Sequence, residues 1–325
     1  MHRTLTRRRL LAASALAPFV HRAGAQAGYP DKPIRMILPF SVGGGTDVVG
    51  RLIAKGLSER LGQQVVVENR AGAGSTIGTA LVAKAPGDGY TLLFASAAHS
   101  FSPTVYKNLP YAQDDFAAVA IVNSTPLMVA AHPSVPAKDL KSFIALLKAN
   151  PGKYTVASSG TGTTLHIAAV HFNLSAGVEA THVPYKGEAP AMNDLLGGQV
   201  HYMVGQASTA APHVKAGRLL GLGVTTPKRV SAMPDIPSVA EAALPGFSAY
   251  GWNAILAPKG TPRAIVDRLN QEISAVIRSA DIKTGFDQLG LDFVDPTTPE
   301  TATAFINAET AKWAPVIRAA GIQGE

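Results

Sequence analysis

Three glycine- and hydroxyl-rich stretches carry what chemistry this chain can do. The first, Pro39-Phe40-Ser41-Val42-Gly43-Gly44-Gly45-Thr46-Asp47, stands where an apolar run ends and an amphipathic run begins. Glycines there let the backbone approach a ligand closely. Free N–H groups at a helix start, with the positive end of the helix dipole, suit an anion. A tight turn capped by Thr46 or Asp47 would use some of the same residues, but three successive glycines exceed what a turn needs. Asp47 reads as the cap, because a second negative charge would repel an acid. The second stretch, Ser158-Ser159-Gly160-Thr161-Gly162-Thr163-Thr164, mirrors the first and offers hydroxyls and N–H groups without charge, a good carboxylate site. The third, Ser96, Ala97, His99 and Ser100, adds to the rim after another apolar run.

Catalytic chemistry is harder to assemble. His99, His166 and His171 are candidate bases and Ser159 a candidate nucleophile, yet no G-x-S-x-G elbow, H-E-x-x-H pair or P-loop lysine occurs. His166 and His171 are five apart, which places them on different faces of a helix. Gly72-Ala73-Gly74-Ser75-Thr76-Ile77-Gly78 imitates a dinucleotide fingerprint, but its last gap is one residue too long. The following strand also ends in Phe94-Ala95-Ser96 rather than at an acid. The stretch therefore reads as a turn or helix start facing the cleft. We expect no catalytic residues, no metal and no cofactor, and a chain without cysteine forms no disulfide and has no thiolate nucleophile.

The elements that must hold these loops are legible as alternating short β-rich and longer amphipathic runs, the mark of α/β architecture. Ile34–Leu38, Gln64–Glu68 and Thr91–Ala95 read as strands, and Asp47–Leu61 and Ser75–Lys84 as helices. After a strand at Ala118–Val122, a change of lobe is expected near Asn123–Pro126. Strands then follow at 127–131, 155–157, 181–183, 200–204 and 220–224, with helices at 138–149, 165–176, 189–196 and 209–216. Gly251–Ala257 reads as a further strand. Two C-terminal helices, from Thr261-Pro262 to about Ser279 and from Thr298-Pro299 to about Ala320, are expected to pack back on the first lobe. No internal repeat of sequence is apparent. The expected division is residues 28–123 with 250–325 as one lobe and 124–249 as the other.

Residues 1–25 differ from the rest. Arg3, Arg7, Arg8 and Arg9 precede an apolar run from Leu10 to Val20, and Ala23-Gly24-Ala25 is a small-x-small cleavage pattern, with Ala25-Gln26-Ala27 as the alternative. The run is about half the ~20 residues that cross a bilayer, so it reads as a signal peptide, either Sec-type or twin-arginine. The whole chain carries a net +7. Five arginines and no acid lie in the leader, so the remainder is near +2. With 6% aromatics and no basic cluster past residue 25, nothing supports a nucleic-acid surface. About 300 residues remain, more than one core usually serves, and 46% apolar residues can build two.

The chain resembles the extracytoplasmic Bug-type receptors of the tripartite tricarboxylate transporter system. The likeness runs from Tyr29-Pro30-Asp31-Lys32-Pro33-Ile34 to Ala319-Ala320-Gly321-Ile322. It is carried by Val65–Gly78, Asp88-Gly89-Tyr90-Thr91-Leu92, His182-Val183-Pro184-Tyr185-Lys186-Gly187, Asp194–Gln199, Pro234–Ala242 and Leu256–Pro262. The resemblance implies a two-lobed, type II-like periplasmic binding fold: two mainly parallel sheets flanked by helices, crossovers near 123 and 250, and a cleft for a small carboxylate. It also implies periplasmic location and membrane permease subunits as partners, and the expected receptor is a monomer. Carried over by position, the ligand-binding residues are Phe40, Gly43, Gly44, Ser96, Ala97, His99, Ser159, Gly160, Gly162, Thr163, His166 and Gln206, with Tyr185 and Trp252 as walls. A sensor subunit for a membrane kinase, or a Ser/His hydrolase, are the alternatives. Two departures stand out: Ser41-Val42 replaces a proline-rich pair, and Gly205 stands where many relatives carry Asp. Loss of that carboxylate argues against a cationic ligand group and leaves room for something larger or less polar. His99 with Trp252 leans toward an aromatic or unsaturated acid.

Overall fold

The computed structural model describes residues 28–291 and 294–324, so the expected leader lies outside the described residues. Strand β1 (Ile34–Leu38) leads to α1 (Gly45–Leu61), β2 (Val65–Asn69), α2 (Thr76–Ala83), β3 (Thr91–Ser96) and α3 (Ala98–Val105). The long strand β4 (Phe116–Ala131) and α4 (Leu140–Ala149) follow. The same order then returns as β5 (Thr155–Ser158), α5 (Thr164–Ala176), β6 (Thr181–Pro184), α6 (Glu188–Leu196), β7 (Tyr202–Gln206) and α7 (Ala207–Lys215). The chain continues through β8 (Leu220–Val224), α8 (Val239–Ala242), β9 (Tyr250–Pro258), α9 (Arg263–Ile277), α10 (Ala280–Leu289) and α11 (Pro299–Ala319).

The strands form two twin arrays, β2-β1-β3-β9-β4 and β6-β5-β7-β4-β8. In the first, β1 pairs β2 and β3 in parallel, while β9 is antiparallel to both β3 and β4. In the second, β5 pairs β6 and β7 in parallel, while β4 is antiparallel to β7 and β8. Each lobe thus holds four parallel strands and one antiparallel strand in the same place. The lobes repeat in topology although no repeat is visible in the residues.

β4 is one strand where the sequence suggested two. Phe116 to Pro126 pair β9, and Leu127 to Ala131 pair β7. The change of partner falls at Pro126, which has no N–H to give a ladder. The strand crosses from lobe to lobe without stopping.

The cores follow the patterns that suggested them. Val49, Ile53 and Leu57 of α1 are buried with Ile34, Met36 and Leu38 of β1. Each such side chain contributes about 1.5–3 kcal/mol by leaving water. Two glycines set the spacing: a Cβ on Gly50 would lie 2.7 Å from Leu38 Cδ2, and one on Gly56 2.8 Å from Val276 Cγ1 of α9. α9 buries Ile265, Val266, Leu269, Ile273 and Ile277. Its N-cap is Pro262 rather than Thr261, whose hydroxyl instead donates to Pro258 O. A third C-terminal helix, α10, lies between the two expected ones. α11 packs on α3 and β4.

Candidate functional site

Helix starts from both lobes converge on one narrow cavity of about 20 Å³. The loop after β1 brings Phe40, Gly44, Gly45 and Thr46, β3 ends in Ser96, and the loop after β5 brings Ser159, Thr164 and Leu165. Gln206 closes β7, Glu188 opens α6, and Thr125, Leu127, Gly251, Trp252 and Asn253 of the crossing strands form the back wall.

Of the residues singled out from sequence, Phe40, Gly44, Ser96, Ser159, Gln206 and Trp252 line this cavity. The other eight do not line it. Gly43 N–H donates to Asp47 Oδ2 at 3.0 Å, and its φ of 85° suits glycine. Ala97 is buried and donates its N–H to Trp252 O. Gly160 and Gly162 have φ of 125° and 74°, and a Cβ on Gly162 would stand 2.8 Å from Val105 Cγ1 of the other lobe. Thr163 is the N-cap residue of α5, and its hydroxyl donates to Gly160 O at 2.7 Å. Tyr185 turns its hydroxyl to Asp194 Oδ2 at 2.7 Å. His99 is buried among Tyr111 and Phe116, edge-on to Phe116 at 5.1 Å, and burial holds its pKa down to about 4.

The two glycine loops differ in what fills them. At α5 no side chain caps the first N–H groups, and the buried Thr164 hydroxyl has no partner. These are free donors facing the cavity. His166 Nδ1 accepts from Gly162 N at 3.1 Å, so the ring is held as the Nε2–H tautomer. Burial, with His182 beside it, lowers its pKa to about 3. At α1 the site is already taken: Gly45 N donates to Glu188 Oε2 at 3.2 Å. The same carboxylate accepts from Gln206 N at 2.6 Å and Thr209 Oγ1 at 2.7 Å at the start of α7. Burial raises its pKa, and the three donors offset this in part. Asp47 caps from the side; burial pushes its pKa up, but Arg51, Gly43 and Asn69 bring it below the ordinary value.

Further contacts join the lobes. Gln206 Nε2 donates to Thr46 Oγ1 at 3.2 Å, and Tyr106 Oη lies 2.8 Å from Thr161 O. Gly45 was foreseen only as part of its glycine loop, and Glu188, Thr125, Leu127, Leu165, Gly251 and Asn253 were not foreseen as site residues. For Glu188 the available signal was an acid directly after Tyr185-Lys186-Gly187, at the start of a helical run.

Two described serines reach a histidine: Ser134 Oγ lies 2.7 Å from His132 Nδ1 at an exposed turn, away from the cavity lining, and Ser158 Oγ lies 2.6 Å from His182 Nε2. The second pair differs from the Ser159 candidate. Ser158 is fully buried and its hydroxyl also meets Gly160 N at 3.1 Å. Among the described residues no carboxylate bonds His182, and no His, Asp and Glu group can hold a metal. No described helix is long and apolar enough to cross a membrane.

A two-lobed α/β protein whose helix starts meet at an interlobe cavity belongs to the periplasmic binding proteins. Residues 49–322 match the model of the tripartite tricarboxylate transporter family receptor, and the chain belongs to that family. Its structure resembles that of the periplasmic binding protein BugD at 36% identity and TM-score 0.87, over 91% of this chain and 99% of that one. It resembles R. palustris Rpa4515 with adipate at 33% identity and TM-score 0.87, over 91% of this chain and 99% of that one. MatC from Rhodopseudomonas palustris with bound malate matches at 32% identity and TM-score 0.85, over 89% of this chain and all of that one.

Proposed function

We propose that this protein is an exported receptor that closes its lobes on a small carboxylic acid and hands it to the permease subunits of a tripartite tricarboxylate transporter. The observation that carries this is the free donor set at the start of α5: uncapped N–H groups and the unpartnered Thr164 hydroxyl, beside Ser159. A helix start of 13 residues with such groups favours an anion. The adipate and malate bound by two relatives support an organic acid. In this reading residues 28–123 with 250–325 form one lobe and 124–249 the other, and the protein acts as a monomer without catalysis. Residues 1–25 direct export by the Sec or twin-arginine route. The ligand bridges loops of both lobes and so favours the closed arrangement.

The Ser158–His182 contact, next to the cavity-lining Ser159, is the Ser–His pair that favours a hydrolase. That reading needs an accessible nucleophile and an oriented base, and Ser158 is buried. A thermal-shift screen against mono-, di- and tricarboxylates, amino acids and aromatic acids tests the receptor reading. A ligand at a hundred times its Kd adds about 2.7 kcal/mol. A shift confined to one acid class supports it; no shift with any acid, and no acid released on denaturation, removes it.

A further inference from the structure

The cavity has two unlike ends. At α5 the unpartnered side-chain group is the Thr164 hydroxyl, a donor, whereas at α1 it is an acceptor, Gln206 Oε1, standing beside a Glu188 carboxylate that already accepts three hydrogen bonds. Glu188 is 4% exposed and lines the cavity. Its three donors come from two helix starts, Gly45 at α1 and Gln206 and Thr209 at α7. Among the described residues no lysine or arginine pairs with it, so its charge is held by N–H and O–H groups alone. The carboxylate also stands beside Gly205, where an added Cβ would lie 3.2 Å from Glu188 Oε1. A carboxylate thus stands beside position 205, supplied by the start of α6 rather than by β7.

We propose that Glu188 is a specificity-determining residue. Its carboxylate fills the second anion position of the cleft and selects acids whose far end is a hydrogen-bond donor, against dicarboxylates of the same length. This rests on the carboxylate-receptor reading. A ligand carboxylate belongs at α5, where donors are free. A second one would meet the buried Glu188 carboxylate and Gln206 Oε1, where like charges repel strongly. A hydroxyl or ammonium there instead gives Gln206 Oε1 the partner it lacks and places a donor beside the Glu188 charge.

The test is calorimetric titration at pH 8 of wild type, Glu188→Gln and Glu188→Ala with matched sets: succinate, 4-hydroxybutyrate and 4-aminobutyrate, then the five- and six-carbon equivalents. Wild type is expected to prefer the hydroxy or amino acid to the diacid at least tenfold. Both variants should reduce that ratio by tenfold or more. The hydroxy and amino arms tell whether the favoured donor is neutral or cationic. Glu188→Ala removes the group outright should the Gln variant pack poorly, and melting of the empty variants checks their folding. A wild type preferring diacids, or a ratio unchanged in both variants, overturns the role of Glu188 while leaving the receptor intact. Binding of none of these acids by any of the three proteins would overturn the role of Glu188, whereas the receptor reading falls only with the wider acid screen.

Discussion

His166 and His182 lie face to face, with ring centroids 3.8 Å apart and planes 10° from parallel. Two imidazolium rings cannot share that position, and burial lowers the His182 pKa to about 4 as it lowers that of His166 to about 3. Buried His99 behaves alike, at about 4. In the unfolded chain each takes its proton near pH 6.5. The folded state therefore binds fewer protons between pH 6.5 and about 4, and the stability these rings contribute is present above that window and lost as pH falls through it. Glu188 acts in the opposite sense, since its raised pKa lets the folded state take up a proton first. Melting from pH 8 to pH 4.5 should show Tm falling below pH 6.5, more steeply in Glu188→Gln. A flat profile would refute the assignment.

Gly187 tests lobe closure. A Cβ there would stand 2.9 Å from Ser41 Cβ and 3.0 Å from Ser41 N, on the facing lobe. Its φ of 148° also disfavours alanine. Gly187→Ala should lower stability by about 1–2 kcal/mol through the backbone, yet reduce ligand affinity tenfold or more by holding the lobes apart. Titration with the ligand from the screen, with small-angle scattering of the empty variant, separates the two effects. Unchanged affinity and unchanged dimensions would show that the contact does not govern closure.

Glu309 anchors α11. Its Oε2 accepts from Trp313 Nε1 at 3.0 Å and Trp252 Nε1 at 3.4 Å, the latter in the back wall of the cavity. Glu309→Ala strands two buried indole N–H groups, each costing about 1–3 kcal/mol. Loss of about 2–4 kcal/mol by urea unfolding is expected, with weaker binding because Trp252 is freed. A loss below 1 kcal/mol would mean that water takes over both donors.

How much of this was readable in the residues depends on how local each cause is. α1 and α9 were legible because their apolar faces repeat at helical spacing and Gly62 ends α1 with a φ of 67°. α3 was not, since His99, Ser100, Ser102 and Pro103 obscure any stripe and the helix is buried on nearly all sides. Asn123–Pro126 was expected as a change of lobe between two strands, yet one strand changes partners there and continues. The glycine loops announced a close approach of backbone. Glu188 did not announce itself, because an acid in the first turn of a helix has a sufficient local reason in the helix dipole. Its partners stand 143 and 18 positions away, at Gly45 and Gln206, and only the fold brings them together.

Ser158 decides between binding and catalysis. Its hydroxyl contacts His182 Nε2 at 2.6 Å, receives Gly160 N–H at 3.1 Å and lies at 3.3 Å from Gly160 O. These contacts fold the loop that carries Ser159 and the start of α5. A nucleophile would instead need a hydroxyl free to meet a carbonyl carbon and a base oriented by a third group. On the structural role, Ser158→Ala leaves a buried N–H and a ring nitrogen without their partner, at a cost of about 1–3 kcal/mol, and weakens ligand binding by loosening the loop. Wild type should then hydrolyse neither p-nitrophenyl acetate nor a panel of simple esters above background. Ester turnover in wild type that vanishes in Ser158→Ala and in His182→Gln would reverse the assignment, since a merely structural pair has no turnover to lose.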